Sequence, residues 1–168
     1  MIATQTAEAI VVSRSFDAPR ALVFEVFTQP EHLQQWFAPK NFTVPYCTVD
    51  LRPGGIFHFC MRAPDGREFW SRGVFQEIVV PELLVYVDSF SDAQGNLVPP
   101  SAYGLSESHP AESEVRITFE QRGEETVVTL RHELSERVKE RSDAQQGWME
   151  MFERAADVVL QARIGRIA

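Results

Sequence analysis

The 168-residue sequence predicts an α+β protein in which a curved antiparallel sheet wraps around one long C-terminal helix. Between residues 42 and 134, six segments with strand-like patterns are separated by turns that contain Gly or Pro, which is typical of a meandering antiparallel sheet. After them, apolar residues recur at helical spacing from Trp148 to Ala162. Because such a helix must bury its apolar stripe, and the sheet is the only large apolar surface available, we expect the sheet to cover it.

The N-terminal part predicts one strand and two short helices. Residues 8–16 alternate loosely between apolar and polar side chains, as a strand does. Residues 17–19 (Asp-Ala-Pro) begin a helix, with Pro19 in the first turn, where its missing N–H costs little. A second short helix begins at Gln29 and Pro30 and ends before Pro39.

The six predicted strands cover residues 42–51, 56–62, 67–80, 83–90, 114–121 and 124–134. Ser142 and Gln145 fit a capping box at the start of the final helix, and Gly165 is suited to its end. The predicted order is therefore β-α-α-β-β-β-β-β-β-α. We predict a single domain over residues 1–168, with its core between about residues 8 and 163.

Charge and hydropathy exclude several classes of protein. The net charge of −8 and the pI near 5.0 give no basic surface for nucleic acid, whose binding depends on neutralising phosphates. No run of about 18 apolar residues predicts a membrane span. Residues 1–9 lack the basic flank and apolar run of a secretory signal. We therefore expect a cytoplasmic protein whose two cysteines are reduced.

Alternate strand positions point to opposite faces of a sheet, and this sorts the candidates for the interior. If the hairpin of residues 42–62 turns symmetrically about Pro53 and Gly54, the aromatic positions of its second strand share a face with Phe42 and Tyr46. We expect this more aromatic face to point inward. Such a wall forms either a solid core or a cavity, and the pattern alone leaves both open.

The same register places Cys47 directly opposite Cys60, with His58 on the same face. Opposed positions bring Cβ atoms to about 4.5–5.5 Å. The simplest interpretation is a pair of small buried apolar residues. A disulfide, a zinc site formed with His58, and a face covered by a second subunit of a homodimer remain alternatives. We predict no metal and no cofactor.

No sequence motif assigns a catalytic residue. The chain has no Gly-x-Ser-x-Gly elbow, phosphate-binding loop, dinucleotide fingerprint or His-Glu-x-x-His metal motif. His132 interrupts an apolar strand face, and a histidine in such a place is either structural or in contact with a ligand. Because the usual pKa of histidine is about 6.5, His132 is the candidate acid or base if a reaction occurs.

The order of elements and a series of short motifs resemble the START-like, or SRPBCC, superfamily, which has the helix-grip (birch-pollen-allergen-like) fold. Within it, the chain is similar to the AHSA-like group, named for the activator of the ninety-kilodalton heat-shock protein's ATPase. The resemblance extends from Ile10 to Leu160. The matching positions are residues 17–19, Trp36, residues 50–55, residues 64–66, Gly73 with Glu77, Pro81 with Leu84, Leu130 with His132, and Gly147 with Trp148.

The resemblance implies a cavity between the concave sheet and the last helix that holds a small hydrophobic molecule. The side chains expected to contact it are Trp36, Phe42, Tyr46, Phe57, Phe59, Met61, Phe119, Leu130, His132, Trp148, Met151 and Phe152. One alternative is an enzyme of the polyketide cyclase or hydrolase kind that uses His132. Another is a module that modulates a chaperone ATPase, although the eukaryotic co-chaperone has an additional N-terminal domain for which this chain has no room.

The connection of residues 91–113 is longer than the roughly 12–15 residues usual for a loop without function. It carries apolar side chains at its middle, among them Leu97, Tyr103 and Leu105. We expect it to form a lid over the cavity mouth or a subunit contact. A surface loop is the alternative.

Overall fold

The computed structural model describes residues 8–167 and confirms the predicted α+β architecture. Residues 1–7 and residue 168 lie outside the described residues, and so do the two ends of the predicted domain 1–168 and most of residues 1–9, for which we expect no secretory signal. The elements are β1 (Ile10–Phe16), α1 (Arg20–Val26), α2 (Pro30–Trp36), β2 (Thr43–Val49), β3 (Ile56–Arg62), β4 (Glu68–Val79), β5 (Leu83–Ser91), a short 3-10 helix (Pro100–Tyr103), β6 (Glu112–Arg122), β7 (Glu125–His132) and α3 (Arg141–Ile167).

The seven strands form one antiparallel sheet in the order β1-β7-β6-β5-β4-β3-β2. Strands β2 to β6 each pair with the next strand in the chain, and β1 forms the edge of the sheet beside β7. Helices α1, α2 and α3 contact one another, and α3 also packs against β1. The predicted element order is confirmed. Helix α3 begins at Arg141, so the predicted capping residue Ser142 lies inside the helix.

Helix α3 is the longest helix, and its buried face carries the apolar residues that the sequence places at helical spacing. Met151, Phe152, Ala155 and Val159 are all nearly inaccessible to solvent. Burial of these side chains against the sheet and the two short helices holds the helix in place. None of the described helices is long and apolar enough to cross a membrane.

The predicted register of the β2–β3 hairpin is wrong by one residue. Phe57 pairs with Val49, and Phe59 pairs with Cys47. The connection does not turn symmetrically, because Gly54 N–H donates to Phe75 O on β4 at 2.8 Å and Phe75 N–H donates to Gly55 O at 3.0 Å. A slip of one residue moves every side chain of a strand to the other face.

Two predictions fail because of this slip. Tyr46 lies on the outer face, 40% exposed, where its ring contacts the rings of His58 and Trp70. Cys47 faces the core and Cys60 the outer side, so the two thiols are not opposed and no disulfide or zinc site forms with His58. His58 instead bonds to Asp92 O at 3.2 Å. Burial raises the pKa of Cys47 to about 12, which keeps it an unreactive thiol.

Candidate functional site

A cavity of about 470 Å³ opens between the concave face of β3–β6, the first turns of α3 and the connection before β6. Its walls are mainly aromatic and aliphatic. Leu105, His109 and Pro110 border it from the connection, and Ala144, Gly147 and Trp148 from α3. The interior is therefore open at this end of the sheet.

The other end of the interior is filled. Phe27 makes edge-to-face contacts with Phe16, Phe119 and Phe152, with ring centroids 5.4–5.7 Å apart. Trp36 is fully buried, and its Nε1–H donates to Val26 O at 2.9 Å. Aromatic rings from β1, α1, α2, β6 and α3 thus close the space beneath the short helices.

Half of the twelve predicted ligand contacts line the cavity. They are Phe42, Phe59, Met61, His132, Trp148 and Met151. Tyr46 lies outside, and the other five belong to the buried core away from this cavity: Trp36, Phe57, Phe119, Leu130 and Phe152. Strand periodicity identifies the face on which a side chain lies but not its depth along the barrel-like sheet. Contact of the six lining residues with a ligand stays a prediction.

His132 is held at the end of β7 between two partners. The indole Nε1–H of Trp148 donates to His132 Nδ1 at 3.1 Å, and His132 Nε2 lies 2.8 Å from Ser113 Oγ. An indole nitrogen can only donate, so Nδ1 accepts and the ring proton is on Nε2, from which it donates to Ser113. Sequence and geometry together therefore assign the Nε2–H tautomer of a neutral imidazole.

Burial lowers the pKa of His132 to about 4, and electrostatic repulsion between the two rings when both are protonated makes nearby His109 act in the same direction. A protonated ring would also place an Nδ1–H against the indole N–H. His132 is therefore neutral at neutral pH. A general base would need a free Nε2 lone pair beside the serine, and this tautomer places a proton there instead.

Asp88 is a polar cavity residue that the sequence analysis did not assign to the site. It lies on β5 between Tyr86 and Phe90, which share its face and also line the cavity. Its Oδ1 is enclosed and has no hydrogen-bond partner among the described residues. Desolvation raises the pKa of Asp88 from 3.8 to about 7.

Other missed lining residues include Phe69, Ser71, Tyr86 and Ser113. The signal that identifies the β5 group is simple: Tyr86, Asp88 and Phe90 are spaced by two residues, as one strand face requires. Gly73 makes room for this group, because a Cβ there would lie 2.8 Å from the Tyr86 ring. The position of the Tyr86 ring therefore requires a residue without a side chain at position 73.

The connection between β5 and β6 is fixed to the cavity rim at two points. The Tyr103 hydroxyl donates to Ser91 O at 2.5 Å and accepts from Trp70 N–H at 3.2 Å. Ser106 donates through its N–H and its hydroxyl to the Glu140 carboxylate, at 2.9 and 2.8 Å. The segment therefore lies at the cavity mouth, as expected, and its action as a lid stays a prediction.

No group of three or more His, Cys, Asp or Glu side chains within residues 8–167 is arranged to hold a metal ion. The cavity offers instead an apolar wall with a small polar group, formed by Asp88, Ser113 and His132. Chemically, this arrangement can accommodate an apolar body and orient one polar atom.

Comparison with solved structures gives close fold matches at low identity. A crystal structure of a protein from Nitrosomonas europaea has a TM-score of 0.74 at 23% identity, covering 93% of this chain and 96% of that one. A solution structure from Arthrobacter aurescens has a TM-score of 0.76 at 20% identity, covering 92% and 87%. The AHSA1 protein from Silicibacter pomeroyi has a TM-score of 0.71 at 19% identity, covering 92% and 99%.

A comparison with curated proteins gives no match. Residues 17–159 match the family described as "Activator of Hsp90 ATPase homolog 1-like protein". This range is well over half of the chain, and it includes both short helices, β2–β7 and most of α3. The chain therefore belongs to the activator of Hsp90 ATPase homolog 1-like family.

Proposed function

We propose that this protein binds a small hydrophobic molecule in the cavity between β3–β6 and α3. The observation that carries the proposal is the cavity of about 470 Å³, which falls in the range of about 300–1,000 Å³ that small-molecule sites occupy. Aromatic rings fill the other end of the interior, under α1 and α2, so the open space is confined to one end of the fold. The open end is therefore a specific feature of the fold.

The polar group of the wall supports binding rather than catalysis by His132. Both ring nitrogens of His132 are engaged, and its Nε2 is protonated toward Ser113. This arrangement opposes the cyclase or hydrolase alternative in the form that uses His132 as a base.

We further propose that the protein acts in the cytoplasm, with no cofactor and no nucleic-acid or membrane partner.

The binding function is tested with a neutral fluorescent dye, N-phenylnaphthylamine, titrated into the protein. We expect saturable enhancement of its fluorescence, and displacement by decanol. Ala144→Phe introduces a ring into the cavity and should abolish the enhancement. Gln145→Phe, at the exposed neighbouring position, is the matched control and should bind the dye like the wild type. No saturable binding to the wild type, or equal binding by both variants, contradicts the proposal.

The family description favours a second candidate, the modulation of a chaperone ATPase. It is tested by adding the protein to an Hsp90 ATPase assay. Stimulation that Ala144→Phe leaves intact would assign the function to a surface and not to the cavity.

A homodimer formed through the outer face of β2 and β3 is a separate proposal, tested by analytical ultracentrifugation.

A further inference from the structure

We propose that the cavity selects a hydrophobic amine, whose protonated nitrogen pairs with the Asp88 carboxylate while its apolar body lies along the aromatic wall. This inference rests on the hydrophobic-ligand function proposed above and adds the chemical class of the ligand. It follows from the position of Asp88, from the charges around the cavity and from the state of His132.

Asp88 has neighbours on both adjacent strands, but neither of them neutralises it. On β4 it pairs with Gly73, which has no side chain, and on β6 it pairs with Ser113. Ser113 accepts a hydrogen bond from His132, so it keeps its own hydroxyl proton as a donor. The Oδ1 atom is left without a partner. Asp88 is half-buried and its carboxyl is desolvated, so its ionised form is costly without a cation, and a ligand that supplies one recovers that cost.

The remaining charges around the cavity favour a cation. Glu140 and Asp143 line it near the start of α3, and no Lys or Arg is among its described lining residues. Hydrogen bonds from Ser106 help lower the pKa of Glu140 against the opposing effect of its burial, which keeps that carboxyl ionised. A fatty-acid anion would meet three carboxyl groups and no positive partner. A protonated amine carries the opposite charge and would be attracted by each of the three carboxylates.

The titratable groups that line the cavity together with Asp88 are Tyr86 on β5, His132 on β7, His109 on the connection, and Glu140 and Asp143 near the start of α3, and Ser113 on β6 adds a hydroxyl. Burial and the charge of Asp88 both raise the pKa of Tyr86, so its phenol stays neutral. His132 is neutral above pH 5. Asp88 is thus the group in the wall of β5–β7 that gains a negative charge near neutrality, because its pKa is about 7.

The test compares decylamine, decanol and decanoate, which share one apolar chain and differ in the polar head. Each is titrated at pH 6 and pH 8 as a competitor of N-phenylnaphthylamine. We expect decylamine to bind at least tenfold more tightly than decanoate at pH 8. Its affinity should rise about tenfold from pH 6 to pH 8, as Asp88 loses its proton, while that of decanol stays constant.

Asp88→Asn should lower the affinity for decylamine about tenfold at pH 8, remove its pH dependence and leave decanol unaffected. Asp157→Asn, which removes the same charge from an exposed position of α3 outside the cavity lining, is the matched control and should leave the affinity for decylamine unchanged. The pH titration of the wild type needs no variant, so it tests the proposal even if Asp88→Asn folds poorly.

Two outcomes overturn the proposal in distinguishable ways. If the dye and decanol bind but decylamine has no advantage over decanoate at pH 8, or keeps its full advantage in Asp88→Asn, the selection of amines is wrong and the cavity function stands. If neither the dye nor any of the three compounds binds the wild type, the cavity function itself is wrong, and the selection of amines fails with it.

Discussion

At the scale of single residues, the protonation state of His132 depends on Trp148. The indole N–H occupies Nδ1 and leaves the ring proton on Nε2, where it donates to Ser113. The histidine is therefore a fixed, neutral part of the cavity wall that orients a hydroxyl. A carboxylate in place of the indole would reverse the tautomer.

Trp148→Phe removes the donor to Nδ1 while keeping an aromatic ring. We expect the pKa of His132 to rise from about 4 but to stay below 6.5, because the ring remains buried while an Nδ1–H no longer faces the indole N–H. NMR titration of the His132 ring protons measures this change. Trp36→Phe is the matched control, since its indole donates to Val26 O and should leave the pKa of His132 unchanged. An unchanged pKa in Trp148→Phe would show that the indole does not set the tautomer.

Asp88→Asn should stabilise the protein at pH 8 and have no such effect at pH 4. The folded pKa of about 7 lies above the ordinary value of 3.8, so the folded state binds the extra proton between these values. The stability of the wild type that depends on Asp88 therefore falls as the pH rises from about 4 to 7. We expect a gain on the order of 2 kcal/mol at pH 8, because the open cavity partly solvates the charge. Urea unfolding at both pH values measures it, and no difference at pH 8 would contradict an unpaired Asp88.

His132 contributes a pH dependence of the opposite sign. Its folded pKa of about 4 lies below 6.5, so the unfolded state binds the proton and stability falls as the pH drops from about 6.5 to 4. In the wild type, the effects of Asp88 and His132 on stability oppose each other between about pH 4 and 6.5. Asp88→Asn removes the effect of Asp88, so the stability of this variant should fall more steeply with decreasing pH than that of the wild type.

At the scale of elements, the sequence predicts the strands better than their register. Alternation identifies β2 and β3 within a few residues, but the hairpin register depends on hydrogen bonds from residues 54 and 55 to Phe75 on β4. This is a contact between segments that a local pattern does not contain. A Cβ at Gly55 would lie 2.0 Å from Asp50 O, so the turn requires glycine at that position.

The connection before β6 is a second element that depends on contacts distant in sequence. Tyr103→Phe removes both hydrogen bonds of its hydroxyl, to Ser91 O and from Trp70 N–H. We expect the amides of Trp70, Gly104 and Leu105 to exchange hydrogen about fivefold faster, which corresponds to about 1 kcal/mol. Hydrogen–deuterium exchange measures this change, with the amides of β7 as an internal control. Unchanged exchange at Trp70 would show that the hydroxyl does not hold the segment.

At the scale of the whole molecule, the interior is divided between a filled end and an open end. The inward faces of β3, β6 and β7 could be predicted from the sequence but that of β2 could not, and six of the twelve predicted contacts line the cavity. The division itself could not be predicted, because it depends on how far α1 and α2 reach along the sheet. Asp88 was missed for a related reason: its isolation depends on Gly73 and Ser113, which are its neighbours only in the folded sheet.

Methionine methyl NMR tests most directly whether a hydrophobic molecule enters the cavity. Met61 and Met151 line it, while Met149 is 47% exposed on another side of α3. On titration with decanol, we expect the methyl resonances of Met61 and Met151 to shift in a saturable way and that of Met149 to stay in place. Saturable shifts at Met149 alone, or no shift at Met61 and Met151 at a decanol concentration that displaces the dye, would contradict binding in this cavity.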